Sequence, residues 1–336
     1  MSEPRILLAH GGGGELTRTL IEDHIVPRLG NPALDPLTDA AVLAGGPGRL
    51  CLTTDASVVQ PLEFPGGDIG RLAVAGTVND LAVMGAEPLA LMQTLVIEEG
   101  LSLATLDRIL ESIAATAREA GIAVVAGDTK VVERRDGGGL TISTAGVGRL
   151  RDGIALAPQH VRPGDHIVVS GCIADHGLAI MATRESLHLH SPIVSDVAPL
   201  AGLCAALVAC GEGLRFIRDP TRGGLAGVLA DIAAASGCTL EIDEAAIPIR
   251  PATRAAADLL GLDPLAAANE GKLVIACAPA AVDAVLAACR ADAHGNEAAR
   301  IGTVVAREPP LVELLTVAGG RRIVQRPYGE ELPRIC

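Results

Sequence analysis

Apolar residues at 103, 106, 109, 110, 113 and 117 of LSLATLDRILESIAATAREA recur at helical spacing, and Gly121 follows them. Residues 101–120 are therefore predicted to form an amphipathic helix with a glycine stop. IAVVAGDT is an apolar run of strand length, and KVVERRDGGGLTISTAGVG reads as a hairpin turning at Asp136 and its three following glycines. Upstream, RLCLTTDASVV is strand-like, and GRLAVAGTVNDLAVMGA reads as a helix whose small residues permit close packing.

A second unit starts near Pro163-Gly164. HIVVSG, CTLEID and KLVIAC are predicted strands; residues 196–210, RGGLAGVLADIAAASG, RPATRAAADLLG and APAAVDAVLAAC are predicted helices. Several short strands close the chain. The pattern is mixed α/β, with a linker in LRDGIALAPQHVRPGD around 150–163. At 336 residues two domains are expected, because single cores seldom grow past about 250–300 residues.

Composition narrows the function. The net charge of −13 opposes a nucleic-acid backbone, and two Phe, one Tyr and no Trp leave almost nothing to stack on bases. The apolar part of MSEPRILLAHGGGG is too short for a signal peptide, and no run approaches the roughly 18 apolar residues of a membrane span. The expectation is a cytoplasmic protein.

The eight cysteines have no CxxC or Cys/His spacing suited to zinc, and most lie in apolar runs as small hydrophobes; Cys336 alone lacks such a setting. Lys130 and Lys272 are the only lysines, against 25 arginines. That rarity tilts Lys130 toward a functional role, against the plainer reading that it pairs with Asp128.

Acidic and amide side chains gather at the ends of apolar runs: Asp39, Asp55, Asn79 and Asp80, Asp128, then Asp219, Asn269 and Glu270. Each alone suits a cap or a turn. Together, beside glycine and threonine, they suit Mg²⁺ on oxygen ligands with a polyphosphate. HGGGG at 10–14 lacks P-loop or GxGxxG spacing, so a phosphate lid and a loose chain end both fit.

TDAAV, TTDASVV, NDLAVMGAEPLAL, AGDTKVV, DPTRGGLA, NEGKL and the final PRIC occur in the order found in the HypE family of hydrogenase maturation factors, which the chain resembles along essentially its whole length. The family shares a superfamily with aminoimidazole ribonucleotide synthetase and selenophosphate synthetase. The resemblance implies a PurM-like α/β fold: an ATP-binding and dimerisation domain over 1–155, an α/β domain over 156–325, and a mobile tail over 326–336. It implies a homodimer that uses ATP and Mg²⁺ to dehydrate a carbamoyl group on Cys336 to a thiocyanate. HypF would supply the carbamoyl group, and the HypC–HypD complex would take the cyanide for the iron of [NiFe] hydrogenase. By motif, Lys130 and Glu270 join Cys336 as catalytic residues. Asp39, Asp55, Asn79, Asp80, Asp128, Thr129 and Asn269 would hold nucleotide, and Asp39, Asp55, Asp80 and Asp219 metal. The alternative is a superfamily enzyme acting on a free small molecule, with the cysteine incidental.

Overall fold

A computed structural model describes residues 14–25, 37–38, 40–44, 48–134, 139–187, 193–329 and 335–336. Asp39, most of HGGGG, and Pro333 and Arg334 of PRIC lie outside them.

The first half carries α1 (Glu15–Leu20), β1 (Ala41–Ala44), β2 (Arg49–Ser57), the short pair β3 (Glu63–Phe64) and β4 (Gly67–Asp68), α2 (Ile69–Val83), β5 (Ala86–Glu98), α3 (Leu103–Glu119), β6 (Val124–Val132) and β7 (Leu140–Leu150). β1-β2-β7-β5-β6 form one sheet in that order. α2 lies across it, capped by Asp68, whose Oδ1 accepts from Gly70 N at 2.7 Å and Arg71 N at 3.0 Å. α3 begins at Ser102, whose hydroxyl accepts from Thr105 N, and stops at Gly121 with φ +71°. The predicted amphipathic helix is thus present.

The predicted hairpin is not. β6 runs parallel to β5, and β5 separates it from β7. The missed element is β5 itself, AEPLALMQTLVIE. With α3 it forms a β–α–β crossover, and a crossover of that kind sets strands parallel where a tight turn would set them antiparallel.

The second half carries β8 (His166–Val169), α4 (Asp175–Arg184), α5 (Ala201–Val208), β9 (Leu214–Arg218), α6 (Gly224–Ser236), β10 (Thr239–Asp243), α7 (Pro251–Leu260), β11 (Val274–Cys277), α8 (Val282–Ala291), β12 (Ala299–Val305), β13 (Val312–Leu315) and β14 (Arg321–Ile323). Seven strands make one sheet, β14-β13-β10-β12-β8-β11-β9. The helix expected over 196–210 begins only at Ala201. Pro199 drives the residue before it out of helical geometry, and Leu200 N is taken by a side chain from α2.

One core joins the halves. Ile69, Leu72 and Val78 of α2 cluster with Leu178 and Ile180 of α4, and with Ile335 beside the last residue. Among the described residues no helix is long and apolar enough to cross a membrane.

Candidate functional site

Side chains alternate across a strand, so Thr53 and Asp55 of β2 both face α2. Thr53 Oγ1 donates to Asp80 Oδ2 at 2.8 Å, and Ala56 N donates to Asp55 Oδ1 at 2.8 Å. Gly76 makes this approach possible: a Cβ there would stand 2.9 Å from Asp55 Oδ2.

The second half brings Glu270 to the same place. Its side chain is 3% exposed, and Oε1 has no hydrogen-bond partner. Desolvation, then the charges of Asp219, Asp55 and Asp196, push its carboxyl well above the ordinary range; Arg222 offsets part of this. A buried carboxyl so placed holds its proton more tightly than an exposed one, and an approaching cation favours its release. Asp196 accepts from Glu270 N at 3.2 Å and Gly271 N at 3.3 Å, and pairs with Lys272 at 3.7 Å. Gly271 can carry no side chain, since a Cβ would lie 1.8 Å from Asp196 O.

Both asparagines act here as staples between segments. Asn79 Nδ2 donates to Ala198 O at 3.1 Å and Glu270 O at 3.4 Å, and its Oδ1 accepts from Leu200 N at 2.7 Å. Asn269 Oδ1 accepts from Ala174 N at 2.7 Å, while its Nδ2 donates to Pro220 O and Ala267 O. These bonds position the Asp80, Glu270 and Asp219 neighbourhoods against one another.

Asp128, Thr129 and Lys130 stand apart. Asp55 is registered with Thr144, Thr144 with Gln93, and Gln93 with Gly127. Thr144 bonds Thr77 of α2, so that row faces the helices. Asp128 and Lys130 therefore lie on the opposite, open face. Three strand spacings, about 14 Å, separate β6 from β2. Lys130, 66% exposed, pairs with Asp128 at 3.3 Å, which holds that carboxylate below its usual range together with Thr129 N–H.

The segment ending in Cys336 is seated at both described ends. Glu15 N and Leu16 N donate to Pro327 O and Tyr328 O. Ile335 is buried, Cys336 packs against the shared core, and Val58 N donates to Cys336 O at 3.3 Å. Cys336 therefore has an apolar setting after all, at the exit of the strand that carries Asp55. His176 is wholly buried below it and contacts Ile335 O at 2.6 Å and Ser195 Oγ at 2.8 Å.

His176, Ser195, Asp196 and Lys272 were not legible as site residues. Asp196 lies two residues beyond the apolar pair Ile193 and Val194, but the predicted helix over 196–210 concealed it.

Among the described residues no three His, Cys, Asp or Glu side chains converge on a ready-made metal site. The charges nonetheless fit a cation: Asp55, Asp196, Asp219 and Glu270 outnumber Arg222 and Lys272. Mg²⁺ characteristically takes one or two carboxylates together with phosphate oxygens.

The domain family described as AIR synthase related protein, N-terminal domain, matches residues 37–150, and its C-terminal counterpart matches 162–312. The carbamoyl dehydratase HypE of Rhizobium leguminosarum bv. viciae is 50% identical, across 99% of this chain and 95% of its own. A HypE–HypF complex superposes with TM-score 0.87 at 42% identity, covering 92% of this chain and 99% of that one. HypE in complex with ATP gives 0.83 at 41%, covering 99% and 100%. The mixed α/β fold is thus PurM-like, and the chain belongs to the HypE family of carbamoyl dehydratases.

Proposed function

We propose that this chain uses ATP to convert a carbamoyl group on Cys336 into a thiocyanate. The observation that carries this reading is the seat of Cys336 at Val58, three residues beyond Asp55, whose charge is one of three carboxylates that act on the buried carboxyl of Glu270.

The amide oxygen takes the γ-phosphoryl group of ATP and ADP leaves. The nitrogen gives up both protons, the C–O bond breaks with loss of phosphate, and the C≡N bond remains on sulfur. Glu270 suits the proton steps, because desolvation and the neighbouring carboxylates raise its proton affinity, so that once ionised it is a stronger base than an exposed carboxylate. Mg²⁺, held by Asp55 and Asp80 with Asp39 and Asp219 to complete the set, would neutralise the polyphosphate charge. Asn79 and Asn269 keep the carboxylates in register for nucleotide.

Asp128 and Lys130 act in a homodimer, where the open face of one sheet meets its partner and Lys130 assists proton removal, with Thr129 next to them on the edge strand. The exposure of Val132, which alternation places on the same face as Asp128 and Lys130, supports such a covering. HypF is the carbamoyl donor, the HypC–HypD complex the cyanide acceptor, and the cytoplasm the setting. The division 1–155, 156–325 and 326–336 assigns nucleotide and pairing to the first unit and thiol delivery to the last.

ADP release measured with carbamoylated protein tests the reading. Turnover should require the loaded thiol and vanish in Cys336→Ala. Turnover on a free small molecule that survives Cys336→Ala would instead establish the alternative.

A further inference from the structure

We propose that His176 is a positioning residue that latches the segment ending in Cys336 into the site, so that dehydration depends on it and carbamoyl loading does not. This rests on the function proposed above and adds a residue to it.

His176 sits in the first turn of α4, wholly buried, with Phe64 edge-on at 5.4 Å. A carbonyl only accepts, so Nε2 carries the hydrogen and donates it to Ile335 O at 2.6 Å. Nδ1 then accepts from the Ser195 hydroxyl at 2.8 Å, leaving Ser195 Oγ to accept from Val197 N at 3.1 Å. Every polar atom has one role in this arrangement, and the neutral tautomer is fixed. Burial lowers the affinity of the ring for a second proton, which agrees.

An ordinary core histidine would take its partners from the elements packed around it. Here one partner belongs to a residue 159 positions away, next to the cysteine that carries the substrate. Without that carbonyl, Nε2–H would face apolar surroundings unpaired, a costly state for a buried donor. The seat has three points: the carbonyl on His176, the Ile335 side chain in the shared core, and Val58 N on Cys336 O. Ser195 also precedes Asp196, which holds Glu270 N and Gly271 N. The latch and the catalytic carboxyl thus share one two-residue segment.

The test loads full-length protein with HypF and carbamoyl phosphate, removes HypF, and follows loss of water by intact mass after ATP is added. His176→Leu removes the donor, whereas His176→Gln keeps an N–H at nearly the same place. Loading should be equal in all three proteins. Dehydration should slow roughly three- to tenfold in the Leu variant, the weight of one hydrogen bond, and recover in the Gln variant. Alkylation of Cys336, read by peptide mass, should quicken in Leu and not in Gln. Equal dehydration in Leu and wild type, or loading and dehydration falling together, would overturn the latch. Should the Leu variant not fold, Ser195→Ala, which frees the ring, carries the same expectations. If wild type loads but never loses water, the proposed function falls, and the alkylation comparison alone decides the latch.

Discussion

Glu270 is the residue at which burial and charge conflict most. Its ordinary carboxyl value is near 4.5, and the folded value lies well above it. The folded state therefore holds a proton that the unfolded state has released, and this contribution to stability, complete below about pH 4.5, is lost as pH rises toward the folded value. Glu270→Gln removes the titration. The variant should match wild type near pH 4 and become increasingly the more stable of the two as pH rises, measured by urea unfolding without nucleotide. Dehydration should be abolished in the same protein. Glu270 was legible through the cluster of acidic and amide residues it belongs to and through the NEGKL motif, since alone it suits a cap or a turn. The need for Gly271 was not, since only the fold brings Asp196 O against it.

At the scale of elements, periodicity located α2, α3, β2 and most of the second half. It failed where pairing partners decide the outcome. β5 is a long run with no clean alternation, being packed on both sides by strands, so sequence pattern alone did not mark it. Its absence from the reading produced the false hairpin between β6 and β7. The segment 196–200 looked helical by composition, yet Pro199 and the amide of Asn79 keep it out of the helix, which begins at Ala201. Asn79 thus ties α2 to the second half through three backbone groups. Asn79→Ala should cost about 3 kcal/mol, because Leu200 N–H and two carbonyls would be left buried. A shift in the urea midpoint without a change in slope checks this; a change below about 0.5 kcal/mol would remove Asn79 as a staple.

Among the described residues the two large sheets are joined through apolar packing of α2 against the second half, and one face of the first sheet is left uncovered by the described helices. Val132 is 37% exposed on that face of the edge strand β6, with Lys130, the only lysine outside the Glu270 loop. A homodimer that covers this face should weaken roughly a hundredfold in Val132→Glu, since a charge buried there costs several kcal/mol. Sedimentation equilibrium would read the change, and a variant that dimerises as wild type does would place the interface elsewhere. The separation of Lys130 from Glu270 across the sheet could not be read from motif order, which says nothing about which face a side chain takes. The most direct measurement of the central claim is the intact mass of wild type and Cys336→Ala after incubation with HypF, carbamoyl phosphate and ATP. Wild type alone should gain a carbamoyl adduct, which then loses one water once ATP is bound. An adduct that forms and persists unchanged, with ATP present, would contradict it.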